Sequence, residues 1–323
     1  MSSGQTREIK SKIESVENTK QMTKAMQMVA ASKMQKAVDA TENTRLYARL
    51  ARELMSHLAH IEEPGYDLLD LRPVDNVLVI LISSNRGLCG NYNSKLFAKT
   101  QNVLNDKELI SRHRVQSERE IPEVEGMPEV DILAVGKKSA EFAHKKNYEV
   151  PAVFDELSEK PTFEDTLPIS KMALEDYKEG EYDRIVVSYT HFEGAMSQEV
   201  KMRQVLPISP KDLKRIFEGK NGNKAEGEAQ EEDYPIETYV FEPSIEEIVE
   251  EVLPRLVEIE IYQAILNAAA SEHSSRMIAM KNATENAEDM VEELTLSYNQ
   301  ARQAAITREI SEIAAGAEAL KED

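Results

Sequence analysis

The chain has 323 residues, 41% hydrophobic and 6% aromatic, with a mean hydropathy of −0.49, which allows a real core but is lean for one compact globule. A formal net charge of −20 argues against the clustered cations that nucleic-acid phosphates require, and a longest aliphatic run of only six residues, Val77 to Ile82, falls short of the roughly 20 a membrane span takes. The single cysteine, Cys89, excludes an internal disulfide, and with no apolar stretch behind the first basic residues no secretory signal is expected, which predicts a bacterial cytoplasmic compartment.

From about Gly4 to Ala59 there is no proline and no internal glycine. Small or apolar residues recur at Ile9, Ile13, Val16, Thr23, Ala30, Met34, Ala37, Ala48, Ala51, Met55 and Leu58. Most of these steps are three or four residues or multiples of seven, the seam of a coiled coil. At 1.5 Å per residue such a helix is roughly 85 Å long, more than a compact domain needs. Pro64 and Gly65 end the pattern. Met22, Met26, Met28 and Met34 read as adaptable seam packing. His57 and His60 share a helix face, but no cysteine completes a metal site, so a solvated pair is the plainer reading.

Residues 74–210 change character. Val77 to Ile82, Ile132 to Val135, Ala152 to Phe154 and Arg184 to Tyr189 are short β-rich runs, alternating with helical stretches at Asn93 to Leu104, Lys138 to Lys145 and Pro168 to Glu179. Runs apolar on both faces predict strands covered by helices, hence an α/β domain. Gln198 to Leu206 alternates and predicts an edge strand. Two stretches, near 105–129 and 213–235, read as surface excursions without assigned structure. The loop from Ser83 to Asn91 follows a strand and precedes a helix, where phosphates often bind. It is neither GxGxxG nor GxxxxGK[ST], so a structural turn or partner contact is the reading carried forward, with no cofactor expected. Cys89 has no sequence-adjacent base and reads as a buried inert thiol.

The last segment repeats the logic of the first. From Ile245, steps of seven reach Val252, Ile259, Leu266, His273, Met280, Ala287, Leu294 and Ala301, with a second row near Ile248, Leu256, Tyr262, Ala269, Met277, Ala283, Met290, Tyr298 and Ala305. This 3.5 period over eight heptads calls for a partner helix. Pro254 is expected to kink or delay the helix near its start. Residues 1–60 carry ten basic against six acidic side chains, and residues 244–323 six against seventeen, so the two ends attract weakly. The expected fold class is α/β: a long antiparallel two-helix coiled coil from the terminal segments (1–62 and 244–323) with an inserted Rossmann-like α/β domain (63–243).

Specific residues then carry a family resemblance. The ending Ile306, Thr307, Arg308, Glu309, Ile310, Ser311, Glu312, Ile313, Ala314, Ala315, Gly316, Ala317, Glu318, Ala319 resembles the signature of ATP synthase gamma subunits. So do Lys24 to Met34, Asn85 to Asn93 and the run RMIAMKNA from Arg276 to Ala283. The resemblance implies a central rotor shaft without catalytic residues of its own. The implied partners are three alpha and three beta subunits, the epsilon subunit and the membrane c-ring, with delta in the same complex. It also implies membrane association only through that complex, at the cytoplasmic face of a bacterial inner membrane. Carried over position by position, Arg302, Gln303 and Thr307 engage a beta-subunit loop, Met26 and Arg276 bear on coupling, and Lys20, Lys24, Lys33 and Lys36 face acidic segments of beta. Two rival classes remain on sequence alone: an α/β enzyme with helical arms, and a free-standing coiled-coil scaffold.

Overall fold

The computed structural model describes residues 2–58, 67–111, 126–155, 157, 161–208 and 245–319. They form two compact units: Met1–Ser32 with Arg276–Asp323, and Lys33–Ser275. Two helices take part in both: α1 (Ser2–Leu58), as long as its unbroken seam predicts, and α6 (Ile245–Ala319), which starts where the heptads start. Helix α6 runs on through Pro254, which forfeits one backbone bond without ending it, and Leu253 and Leu256 on either side are buried.

The larger unit contains a five-stranded sheet in the order β3-β2-β1-β4-β5. Strands β1 (Asn76–Ile82), β2 (Glu129–Val135), β3 (Val153–Phe154) and β4 (Arg184–Gly194) are parallel, and β5 (Ser197–Leu206) returns antiparallel along the edge of β4. Alternation along β1 decides the layering, since successive side chains point to opposite faces. Val77, Val79 and Leu81 pack with Leu96 and Leu104 of α2 (Tyr92–Leu104), Ile110 of α3 (Lys107–Ser111) and Ala143 of α4 (Lys137–Lys145). On that layer Phe97 and Phe142 stack with centroids 4.6 Å apart. Leu78, Ile80 and Ile82 pack on the other face against Ile169, Ala173 and Tyr177 of α5 (Phe163–Glu179) and against Leu253, Val257, Ile261 and Ala264 of α6. The C-terminal helix thus supplies part of the α/β core.

Several boundaries differ from expectation for local reasons. Helix α5 begins at Phe163, not Pro168, because Thr162 and Asp165 form a reciprocal capping box that starts the helix upstream of the proline. The first excursion is structured at its start. Helix α3 stands there, with Ile110 buried and Arg184 donating to the carbonyls of Leu109 and Ile110. Residues 112–125 of that excursion, and the whole second one near 213–235, lie outside the described residues, as do His60, Pro64 and Gly65.

Strand β4 also runs past Tyr189, and on this extension sits His191. Its ring meets Tyr189 edge-on at 6.3 Å, and its Nδ1 is buried without a hydrogen-bond partner. Burial pushes its pKa down to about 4, Lys201 and Arg203 on β5 push the same way, and Glu193 and Glu199 oppose them. The unfolded chain therefore takes up a proton between pH 6.5 and 4 that the folded chain refuses. Stability from this source is full above the ordinary histidine range and is lost as pH falls through that window. For a half-buried ring the loss is on the order of 2 kcal/mol after allowing for solvent screening. Denaturant midpoints measured from pH 7 to pH 4 should fall less steeply in His191→Gln, and parallel curves would remove His191 from the account.

Candidate functional site

The smaller unit is a helix pair. Lys20 Nζ lies 2.7 Å from Glu288 Oε1, and Thr284 Oγ1 donates to Thr23 Oγ1 at 2.9 Å. The paired numbers sum to 307 or 308, so the two helices are antiparallel. Along α1, Thr6, Ile9, Ile13, Val16, Lys20, Thr23, Met26, Gln27 and Ala30 are the less exposed positions, and all but Met26 run in threes and fours through the expected Ile9, Ile13, Val16, Thr23 and Ala30; Met22 and Met28, expected as seam packing, are instead 64% and 59% exposed. Lys20 and Gln27 join that seam, although as polar residues they were not read into it. Along α6 the covered row is Met280, Thr284, Ala287, Val291, Leu294, Tyr298, Ala301 and Ala305. The second expected row is corrected by one residue at one level, where Val291 turns inward and Met290 is 52% exposed; Ala283 is half-buried as expected, beside the more deeply buried Thr284. A step of four from Met280 keeps the stripe centred, where a step of three drifts off it.

Lys20 lies at the seam margin and is held by Glu288, whose carboxyl is drawn below its usual range by the Lys20 hydrogen bond and charge, with Lys24 adding to the same field. Because Glu288 is exposed and Lys20 only half-covered, a double-mutant cycle on Lys20→Ala and Glu288→Ala should show a weak coupling that shrinks with salt. A salt-independent value would contradict the exposed geometry.

By the pairing sum, position 305 of α6 lies level with residue 2 of α1, so the helix beyond it has no described α1 partner. There residues 306–315 are all exposed, Ile306, Thr307, Ile310 and Ile313 among them, and Arg302 and Gln303 are exposed just before that level. Gln303, Ile306, Thr307 and Ile310 fall three or four apart on one face. The isoleucines belong to the run that carries the family resemblance, and their exposure, 47% to 73%, is what the structure adds.

The expected site residues therefore form groups. Lys20 and Lys24 act together on Glu288; Arg302, Gln303 and Thr307 share the far end of α6, about 20 Å further along at 1.5 Å per residue. Met26 and Arg276 are half-buried on their own helices, at levels some five residues or about 7 Å apart. Lys33 and Lys36 belong to the α1 portion of the larger unit, Lys33 half-buried and Lys36 exposed.

The loop after β1 is built around its own bonds. Ser139 N–H donates to Ser83 Oγ at 2.7 Å, Lys138 N–H to Ser84 O at 3.2 Å and Lys137 N–H to Asn85 Oδ1 at 2.9 Å. These are the amides at the start of α4 that an anion would need. Asn93 donates to Ser84 Oγ at 2.7 Å and to Cys89 Sγ at 3.5 Å, which ties the loop to α2. Cys89 is buried, 3% exposed, with no histidine among its hydrogen-bond partners. Leu88, by contrast, is 63% exposed at a left-handed φ of 62°, a conformation a leucine holds at a cost. Among the described residues no group of three or more His, Cys, Asp or Glu side chains is placed to hold a metal, and no helix is long and apolar enough to cross a membrane.

Comparison with known proteins adds to this geometry. A family model described as ATP synthase matches residues 5–320. The ATP synthase gamma chain of Trichlorobacter lovleyi is 35% identical over 314 residues, covering 97% of this chain and 98% of that one. That of Nitrosococcus oceani is 36% identical over 321 residues, covering 99% and 100%. Among solved structures, a chain of the Euglena gracilis mitochondrial ATP synthase (OSCP/F1/c-ring) is similar with a TM-score of 0.63 and 21% identity, over 98% of this chain and 95% of that one. A chain of the Tetrahymena thermophila mitochondrial ATP synthase central stalk and c-ring reaches 0.52 at 24%, over 81% and 99%. The paired terminal helices, the inserted α/β unit and near-full-length identity above 30% agree, and this chain belongs to the ATP synthase gamma chain family.

Proposed function

We propose that this chain is the central rotor shaft of an F-type ATP synthase. In this reading ion flow turns the membrane c-ring, the shaft turns with it, and the catalytic beta subunits are driven through their conformations for ATP synthesis or hydrolysis. The observation that carries it is the far end of α6, which displays Ile306, Thr307, Ile310 and Ile313 beyond the level of the described α1 residues, with Arg302 and Gln303 exposed just before it. A surface both apolar and hydrogen-bonding, with no described partner within the chain, suits the inside of a ring of other subunits. Two paired helices also resist twisting better than one, and coupling requires that stiffness.

The partner assignment follows the family. The segments 1–62 and 244–323 engage three alpha and three beta subunits, and 63–243 engages the epsilon subunit and the c-ring, with delta in the same complex. Arg302, Gln303 and Thr307 contact a beta loop, Met26 and Arg276 tune coupling, and Lys20, Lys24, Lys33 and Lys36 meet acidic segments of beta. Long-range attraction of that kind guides a moving surface without fixing it. Membrane association is through the complex alone, at the cytoplasmic face of the bacterial inner membrane. The test is copurification with subunit counting: one chain per three alpha–beta pairs is expected, with loss of membrane coupling on deletion. A self-sufficient monomer with turnover of its own would sink the reading.

A further inference from the structure

Strand β1 pairs with β4 only as far as Ser188, so the remainder of β4 and the start of β5 project as a two-stranded hairpin past the end of β1. One narrow face of α6 receives it. Ser271 Oγ donates to Thr190 O at 3.0 Å, Asn267 Oδ1 accepts from Phe192 N–H at 3.4 Å, and Ser274 Oγ donates to Ala195 O at 2.6 Å. Gln198 Nε2 donates to Ser274 Oγ at 3.2 Å, and Ser275 Oγ donates to Gln198 Oε1 at 3.2 Å. Ser271 and Ser274 are fully buried.

The chemistry of this contact differs from the core below it. Apolar burial is non-directional, so it resists separation far more than sliding. A side-chain hydroxyl bonded to a backbone carbonyl is directional, and where water is excluded a broken bond has no substitute. Positions 267, 271, 274 and 275 lie within an arc of about 100° on the helix. Their partners run from Thr190 around the hairpin turn to Gln198. The set therefore fixes the hairpin against both axial slip and rotation about α6. Because β4 continues into the sheet between β1 and β5, the sheet is held in register with α6.

We infer that this ladder of Asn267, Ser271 and Ser274 with Gln198 is the torque-bearing joint between the α/β sheet and α6; the inference rests on the rotor reading above. These are positioning residues, without contact to any reacting group. The experiment uses the fully assembled complex in vesicles, with subunit counting first, since loss of the one-to-three stoichiometry in the unaltered complex would fail the rotor reading and not the joint. In S271A/S274A, amide exchange across Phe192 to Gln198 should quicken roughly thirtyfold, equivalent to about 2 kcal/mol at 1.4 kcal/mol per decade. ATP hydrolysis should persist while ions pumped per ATP fall severalfold. Replacing both Ala195 and Ser274 by cysteine substitutes a covalent tie, with buried Cys89 the one native thiol of this chain. Oxidation should restore the pumping ratio and reduction remove it again. Gln198→Met, at the half-buried rim, provides the same readout if the buried pair fails to fold. An unchanged pumping ratio despite faster exchange, or a cross-link that forms without restoring it, would overturn the joint and leave the ladder a purely structural contact.

Discussion

Gly136→Ala is expected to destabilise the full chain by about 3 kcal/mol or more, read as a drop in denaturant midpoint. Gly136 sits at φ 94°, where an L side chain is strained, and an added Cβ would lie 2.4 Å from the Ser83 carbonyl oxygen. The obstacle cannot step aside cheaply. Ser83 N–H donates to Val135 O at 2.8 Å, and its Oγ receives Ser139 N–H. Any shift of Ser83 thus breaks the junction of β1, β2 and α4 together. Gly87→Ala is the control, for nothing lies within 4 Å of its Cβ position and its φ is unremarkable. Equal effects at the two glycines would refute the packing account.

Tyr177 offers a comparable loss from a different cause. It is fully buried, its hydroxyl donates to Asp70 O at 2.9 Å, and the Arg72 guanidinium lies 4.6 Å above its ring while donating to the Tyr177 carbonyl at 3.2 Å. Tyr177→Ala should cost about 4 kcal/mol, mostly cavity and lost transfer energy. Tyr177→Phe keeps the ring and should cost about 1 kcal/mol, the hydroxyl bond alone. Guanidinium melts of both variants separate the two contributions. A Phe variant as unstable as the Ala variant would place the energy in the hydrogen bond instead of the packing.

The parts legible from the sequence were those written as periodicity. The β1 run from Val77 to Ile82 is apolar on both faces because helices cover both, and α1 and α6 announce themselves by steps of three and four. What stayed hidden depended on partners distant in the chain. The expected inward turn of Met290 went instead to Val291 because the α1 surface, not the heptad count, fixes which side is covered. Lys20 and Gln27 entered the seam although their composition argued for a solvated face. The extension of β4 past Tyr189 was illegible because Thr190, Phe192 and the adjoining Ala195 are bonded to Ser271, Asn267 and Ser274, 75 to 81 residues later. Helix α3 was missed because a single buried residue, Ile110, anchors it. The site residues at Arg302, Gln303 and Thr307 were suggested only by family likeness, since exposed polar positions on a helix carry no internal signal.

The antiparallel pairing of Lys20 with Glu288 has a consequence in time. The two residues are 268 apart in the chain. At roughly 5–20 residues per second of synthesis, α1 leaves the ribosome on the order of tens of seconds before its partner exists. A leucine-lined seam would present a continuous sticky stripe for all of that interval. A seam of Thr23, Gln27, Ala30 and Ala37 gives up adhesion in the finished pair, and the nascent helix remains soluble while it waits.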